Sequence, residues 1–440
     1  MKLMKFLPVL LLCLFFITTV VFAQNAPLLT LEDAVSIALK NNYNIRLAKN
    51  NTIIAAGNVT YGNAGYFPLL NATASTNSSI LNIDQTRSDG TTNNLNNLRN
   101  SSSSYGPNIN WTIFDGFAMF ANYAQLKQLD QLSQVQQRDT IQSTLASVIS
   151  TYYNLVNQNQ QIISLKGAID ISRLQLRYAS DKFNVGRASK LDVLNAEVNF
   201  NTDTAAYLTQ IQQFKTTKID LNQLLVRKLD EDFSVPDTLI IQNQPILSDI
   251  ISQAQKSNPA IISSQINKRL AEISLKQVRS IRYPILGVNS GYAFSNSKTP
   301  AGFTRTQATK GLNYGLTASV NIFDGFNQTR RERVAKLQIN SADIRQSQIR
   351  LLVEAQINSL YINYLSGLDL IRLGQSNVEI AKKNLDISLE KYRLGNITPL
   401  EVREAQRNYL DAQTRFFNDQ YQTKLSEVSL KEITGSISLN

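Results

Sequence analysis

The sequence predicts a mainly α-helical protein that also carries membrane β-strands, four per chain, in an architecture built twice over, so that three copies close a twelve-stranded barrel. Three observations predict this: an export signal, a duplication of the mature chain, and hairpins of period two set between helices of period seven. The 440 residues hold 44 Lys plus Arg against 33 Asp plus Glu, one Cys and no His. Chemistry that depends on imidazole is excluded.

Lys2 and Lys5 precede an apolar run from Phe6 to Phe22, and Val21-Phe22-Ala23 stands before Gln24, the pattern of a secretory signal cleaved between Ala23 and Gln24. Cys13 lies deep in that run, without the small residue that a lipidation motif places before it, and is expected to be discarded with the signal. The mature chain then has no disulfide and no thiol chemistry. No later stretch approaches the roughly 20 apolar residues of a membrane helix. Barrel strands need only about 9 to 11 alternating residues, so that class stays open. The positive charges are scattered and carry no basic-aromatic motif, so nucleic acid is not an expected partner.

Self-similarity organises the rest. Thr30-Leu31-Glu32-Asp33-Ala34 and Asn42 align with Ile246-Leu247-Ser248-Asp249-Ile250 and Asn258 at an offset of 216, as do Phe67-Pro68 and Tyr283-Pro284. Ile113-Phe114-Asp115-Gly116-Phe117 aligns with Ile322-Phe323-Asp324-Gly325-Phe326 at 209, so seven residues are inserted between Pro68 and Ile113. Length variation belongs in loops, which places one there. The division reads as residues 1–23 signal, 24–228 first repeat, 229–245 linker and 246–440 second repeat.

Each repeat reads helix, hairpin, very long helix, turn, helix. Thr30 with Asp33 three residues on is a capping-box pattern, and the helix it starts is expected to run to Pro68. In the second hairpin, about 285–323, Leu312, Tyr314, Leu316, Ala318, Val320 and Ile322 alternate with small or polar residues. In the first, about 69–114, Tyr105, Ile109, Trp111 and Ile113 repeat the pattern, while the partner strand after Pro68 is weaker. Asp84 to Asn100 and Asn296 to Lys310, rich in Asn, Thr, Ser and Gly, read as exposed loops. Alternation by itself suits a half-buried soluble strand; the export signal and the long helices turn the reading to a barrel with apolar residues on lipid and polar ones on a wet lumen.

Beyond the hairpins, Ile141, Val148, Leu155, Ile162, Ile169, Leu176 and Phe183 form a strict heptad series, matched by Ile357, Tyr364, Ile371, Val378, Leu385 and Tyr392. A helix from about Ala118 to Lys182 would be roughly 100 Å long. Phe200, Tyr207, Phe214 and Leu221 mark the returning helix, with Tyr409, Phe416 and Leu430 in the second copy. Gly186 and Gly395 permit the reversal between long helices, at turns of about 183–193 and 392–402, and Ser189 and Thr398 are placed to cap the return, with Pro399 at its first position. Asp115 and Asp324, each after a strand and before a helix, read as helix caps rather than as an acid and base pair.

Four strands make an open sheet, and open edges are not tolerated in hydrocarbon, so copies must pool strands. Two chains would give eight strands, whose interior fills with side chains; three would give twelve and leave a channel.

The doubled Pro68 and Pro284, the doubled IFDGF segments, and the tips FNVGRASKLDVLNAE and YRLGNITPLEVREAQ resemble the TolC-like outer-membrane efflux proteins over nearly the whole mature chain. The resemblance implies a homotrimeric barrel in the outer membrane of a Gram-negative-type cell, continuous with a long periplasmic α-helical tube, and an equatorial region built partly from Leu229 to Pro245 and the C-terminal tail. It implies the exit channel of a tripartite efflux pump or a type I secretion system. The implied partners are a periplasmic adaptor (membrane fusion) protein and an inner-membrane transporter of RND, ABC or MFS type, with no cofactor, metal or catalytic residue. Adaptor contact then falls to Val185, Gly186, Leu191, Leu394, Gly395 and Leu400. The gate and selectivity positions are Glu401, Glu404 and Tyr392. The family's gating Arg corresponds to Ile397, a departure for which Arg187 is the expected substitute. Arg279, Arg282, Arg330, Arg331 and Arg333 flank the second hairpin and are candidates to reach outer-membrane lipid phosphates. An autonomous diffusion porin, an exported coiled-coil protein and an exported hydrolase remain as other readings.

Overall fold

The computed structural model describes residues 27–241, 246–302 and 304–437. The expected cleavage site at Ala23 and Gln24, and Cys13, lie outside them. In chain order the elements are α1 (Leu31–Asn41), α2 (Tyr43–Gly57), α3 (Tyr61–Ala64), β1 (Leu69–Thr86), β2 (Thr92–Asp115), α4 (Ala118–Asn184), α5 (Lys190–Leu225), α6 (Leu247–Ser257), α7 (Pro259–Ser280), β3 (Ile285–Lys298), β4 (Thr306–Ser319), α8 (Asn327–Leu394) and α9 (Pro399–Ile433). Two compact units result: one from Arg46–Thr140 and Ile251–Ala355, the other from the described parts of Met1–Ile45, Ile141–Ile250 and Gln356–Asn440.

The helix after Thr30 does not run on to Pro68. Thr30 accepts a hydrogen bond from the Asp33 amide at 3.1 Å, and the helix stops at Asn42. The reason lies in that side chain: Asn42 Oδ1 accepts from the amides of Asn44 and Ile45, and its Nδ2 donates to the Leu224 carbonyl at 2.9 Å. An Asn that satisfies its neighbours' amides competes with the helical ladder. Asn258, its counterpart, caps α7 through the Ile261 amide, with Pro259 at the first helical position.

In the first unit the four strands form one antiparallel sheet, ordered β1-β2-β3-β4. Both β1 and β4 are edges, with no further strand beside them among the described residues. A soluble sheet hides its apolar face, yet Tyr314 and Leu316 are each 81% exposed. The segments read as loops are mostly strand: β1 and β2 pair out to Thr86 and Thr92, β3 and β4 out to Lys298 and Thr306. Polar Asn, Ser and Thr do not end a ladder whose stability comes from backbone hydrogen bonds. The seven-residue insertion lengthens the strands of the first hairpin, past a register shift between Leu81 and Ile83, instead of its turn. The partner strand that looked weak is 18 residues long.

At the strand-to-helix junctions the IFDGF segments turn through two left-handed residues in a row, Gly116 and Phe117 in one copy, Gly325 and Phe326 in the other. Neither Asp115 nor Asp324 caps the helix that follows; Asp115 Oδ1 and Asp324 Oδ2 are buried without a hydrogen-bond partner. The double left-handed turn carries each carboxylate away from the first amides of α4 and α8. Around the first junction Tyr61 stacks on Tyr123 at 4.8 Å, and Tyr66 meets Tyr123 edge-on at 6.4 Å. The residues aligned with Tyr66 and Tyr123 are Arg282 and Glu332, which form an ion pair. Where the first repeat has an aromatic contact the second has a charged one, which accounts for Arg282 among the arginines beside the second hairpin.

In the second unit the heptad residues Val148, Leu155, Ile357, Tyr364 and Leu385 are buried. A core of Val148, Tyr152, Leu155 and Val156 from α4, Leu221 and Leu225 from α5, and Leu29, Ala34 and Ala38 closes over Phe233 and Val235 of the segment after α5. That segment is stitched to the N-terminal segment by paired backbone bonds of 3.0 Å between Leu29 and Ser234 and between Ser234 and Pro27. Tyr152, whose hydroxyl donates to the Leu29 carbonyl at 2.9 Å, has its pKa pushed up to about 12 by burial and by neighbouring Tyr153. Lys424 is buried, donating to the Ile240 carbonyl and to Glu427, both at 2.9 Å. Desolvation lowers its pKa, against the pull of Glu427.

Where α8 and α9 pack, a Cβ on Gly367 would lie 2.2 Å from Thr423 Oγ1 and one on Gly374 3.2 Å from the Phe416 ring. Glycine here serves close approach of the two helices. Gly367→Val is expected to lower stability by about 1–3 kcal/mol through overpacking. Thermal unfolding followed by circular dichroism checks it, and Thr423→Ala in the same chain should recover part of the loss.

Candidate functional site: the paired helical tips

Each long helix ends in the same way. At the first tip the Gly186 amide donates to the Phe183 carbonyl at 2.9 Å and the Arg187 amide to Lys182 at 2.7 Å; at the second, Gly395 donates to Tyr392 at 3.0 Å and Asn396 to Lys391 at 2.9 Å. This is the doubled C-terminal bond that satisfies orphan carbonyls and requires a left-handed residue. Gly186 and Gly395 have φ of +74° and +83°, and nothing lies within 4 Å of where a Cβ would stand. Glycine is needed for the backbone angle, not for room.

The returning helices start with full capping boxes. Ser189 and Asp192 exchange bonds, with the Ser189 amide donating to Asp192 Oδ2 at 2.9 Å; Thr398 and Glu401 do the same, at 3.1 Å to Glu401 Oε2. Bonds from the Ser189 amide and hydroxyl hold the Asp192 carboxyl below its ordinary value. Glu401 therefore has a structural duty as the third residue of α9. Glu404 is exposed, and its carboxylate takes no partner among the described residues.

Four of the six residues read as adaptor contacts present apolar side chains to solvent, from Leu191, 64% exposed, to Leu400, 76% exposed, with Val185 and Leu394 between them. Adjacent exposed aliphatics at the end of a structure mark a contact surface. Tyr392 points the other way and is buried. Its partner is not Arg187, whose side chain is exposed and unpaired, but Lys182. Lys182 Nζ donates to the Tyr392 carbonyl at 2.8 Å and sits 4.1 Å from the ring centre, a cation over a π face. Arg187, in the turn after Gly186, is exposed, whereas Lys182 lies one position before the last heptad aromatic of α4. Burial, with Asp192 nearby, raises the Tyr392 hydroxyl pKa.

Higher on the same helices lies a buried polar network that the sequence reading did not include. Arg403 of α9 makes two bonds to Asp203 of α5, at 2.7 and 2.9 Å. Asp203 also accepts from the Ser172 hydroxyl of α4. Gln406 donates to Asp203 at 3.1 Å, to Ser172 at 3.1 Å and to the Ala168 carbonyl at 3.0 Å, and accepts from Gln175 at 3.1 Å. The signal was present: Asp203 stands between Phe200 and Tyr207 and Gln406 between Val402 and Tyr409, on stripes that otherwise bury apolar residues.

A family model described as Outer membrane efflux protein matches residues 34–226 and 250–436, once over each repeat. The chain belongs to this family. It is 22% identical over 418 residues to outer membrane efflux protein BepC of Brucella suis biovar 1 (strain 1330), covering 95% of this chain and 88% of that protein. It is 22% identical over 306 residues to outer membrane protein TolC of Escherichia coli (strain K12), covering 67% and 62%. The CmeC outer membrane channel of Campylobacter jejuni superposes with a TM-score of 0.77 at 20% identity, over 92% of this chain and 85% of that one. The fold is that of the outer-membrane efflux channels, the location is the outer membrane, and the chain is an efflux channel and not a member of an enzyme family. No helix among the described residues is long and apolar enough to cross a membrane. Among the described residues no group of acidic or Cys side chains is arranged to hold a metal.

Asp203→Leu leaves the half-buried Arg403 without its carboxylate and is expected to destabilise the protein more than the double change Asp203→Leu with Arg403→Leu. Melting temperatures of both variants check the order. The depressed Asp192 carboxyl adds stability above its unfolded-state pKa that is lost as pH falls through the folded one. Protease cutting near Gly186 should therefore rise on acidification in the native chain, and rise less in Asp192→Asn, which starts without the bond.

Proposed function

We propose that three copies form a passive conduit, a homotrimer that an inner-membrane transporter supplies with energy and cargo and that a periplasmic adaptor opens at the tips. The observation that carries this reading is the open sheet with two unpaired edges and apolar side chains on its exposed face. Such edges have no water to bind in lipid and close only against other copies. Three copies supply twelve strands, which leaves a lumen.

Adaptor contact at the tips is supported by the exposed Val185, Leu191, Leu394 and Leu400, with Gly186 and Gly395 holding the turns that present them. The gate reading divides the two glutamates. Glu401 caps α9, and Glu404 supplies the free carboxylate that a three-fold axis repeats as a ring, favouring cations and repelling anions. Tyr392 with Lys182 keeps the second tip drawn onto the first. At the foot of the sheet Arg279, Arg330, Arg331 and Arg333 are exposed close to Tyr283, Phe323 and Phe326, the pairing of arginine and aromatics that suits lipid headgroups. The conduit needs no catalytic residue.

Leu191→Asp with Leu400→Asp is expected to abolish export in cells while leaving the outer-membrane trimer intact on native mass measurement; retained export would overturn the assignment of adaptor contact. In planar bilayers Glu404→Gln should reduce cation preference, and Glu401→Gln should do so less while lowering the melting temperature.

A further inference from the structure

The duplication holds to the level of single backbone pairs. In the first hairpin Leu69 lies opposite Asn110, Leu70 opposite Ile109, Asn71 opposite Asn108 and Ala72 opposite Pro107. Adding the repeat offsets of 216 and 209 gives Ile285 with Ser319, Leu286 with Ala318, Gly287 with Thr317 and Val288 with Leu316, which are the pairs found in the second hairpin. Strands β1 and β3 are thus equivalent, and so are β2 and β4. The contact of β2 with β3 joins the end of one repeat to the start of the other, and it has a register of its own: Asn110 opposite Asn289, Ile109 opposite Ser290, Asn108 opposite Gly291. Its equivalent, β4 against β1, is the one seam the single chain leaves open.

We infer that β4 of one copy pairs with β1 of the next in the register β2 and β3 already share, placing Ser319 opposite Thr73 of the next copy, with Ala318 opposite Ala74 and Thr317 opposite Ser75. The inference rests on the assembly proposed above and specifies its interface.

Side-chain pattern supports the same register independently. Leu70, Ala72, Ala74 and Ile80 of β1 alternate with Asn71, Thr73, Ser75 and Asn77. The transferred register sets Ala72 opposite Val320 and Ala74 opposite Ala318 and, past a bulge at Ile322 equivalent to the one at Ile113, Leu70 opposite Phe323, apolar on apolar, while Asn71 meets Asn321 and Thr73 meets Ser319. A slip of one residue would put Ala72 and Ala74 opposite polar residues. Slips of two keep the faces matched, and the copied β2 to β3 register selects among them.

The junctions below the sheet carry the same asymmetry. At the filled one, Tyr283 lies edge-on to Phe117 at 5.8 Å, and a Cβ on Gly116 would stand 2.2 Å from the Ser280 carbonyl. The equivalents of Tyr283 and Ser280 are Phe67 and Ala64; those of Phe117 and Gly116 are Phe326 and Gly325. In the single chain Phe67 is 63% and Phe326 75% exposed, and the nearest atom to a Cβ on Gly325 is Asn327 Nδ2 at 3.8 Å. Phe67 of the next copy is the ring that belongs on Phe326, as Tyr283 belongs on Phe117.

Cysteine pairs test the register in outer membranes from cells that make the full chain, whose one native Cys lies at position 13. Neighbouring pairs in an antiparallel ladder alternate between wide and close spacing, so Ser319→Cys with Thr73→Cys and Ala318→Cys with Ala74→Cys are both made. On mild oxidation at least one should yield reducible three-copy species on electrophoresis. Ser319→Cys with Ser75→Cys or with Asn71→Cys, two residues out of register, should not, since diagonal neighbours stand about 7–8 Å apart, beyond disulfide reach. Three-copy species from the shifted pairs alone, or intact trimers in which no pair cross-links, overturn the register. Cross-links at the inferred register that stop at two copies keep the register and overturn the trimer, and a chain that remains single overturns both.

Discussion

A peptide amide in hydrocarbon has nothing to bond except another peptide, and this chain carries into the membrane a sheet with two unpaired sides. The exposed apolar face of β4, the polar opposite face and the repeated junctions are consistent only with strands that continue into another copy. A longer chain could close the sheet by itself. This one supplies four strands among the described residues, and assembly becomes a condition of its stability in the bilayer.

Duplication lets one solution serve twice, and the places where the copies differ show what each does beyond the shared frame. The double left-handed turn at Gly116-Phe117 and Gly325-Phe326 is common to both. So are the two tips, with the same pair of C-terminal bonds and the same capping box. The Tyr66 and Tyr123 contact of the first copy became the Arg282 and Glu332 pair of the second, changing the chemistry at the foot of the sheet without changing the backbone. The network of Ser172, Asp203, Arg403 and Gln406 has no counterpart in the repeat and fastens three helices at one level. Its carboxylate is buried and its charges mutually satisfied, so it holds those helices in a single relative position more firmly than exchangeable apolar contacts would.

Much of the architecture was readable from periodicity. The heptad series from Ile141 and Ile357 marks positions that are buried or half-buried, Phe183 at the tip excepted, and Gly186, Ser189, Gly395 and Thr398 announce the turns, because each of these signals is local and follows from the geometry of a helix or its end. Three readings failed for a common reason. Asn42 was taken as part of a continuing helix, the Asn and Ser tracts as loops, and Asp115 and Asp324 as caps, although a side chain's choice among local partners depends on what tertiary contact it is offered. That Lys182 and not Arg187 reaches Tyr392 within one chain was likewise hidden, since the direction of a side chain near a tight turn is invisible in spacing.

The sequence by itself determined the duplication, the period of each segment and the need for more than one copy, since these follow from counting residues and from the cost of an unpaired backbone. Only the tertiary structure decided that Lys182 serves Tyr392, that Asp203 meets Arg403 from 200 positions away, and that Glu401 is committed to a cap while Glu404 is left free. Those outcomes rest on which helix faces meet, a matter of three-dimensional packing that no periodicity along one chain encodes.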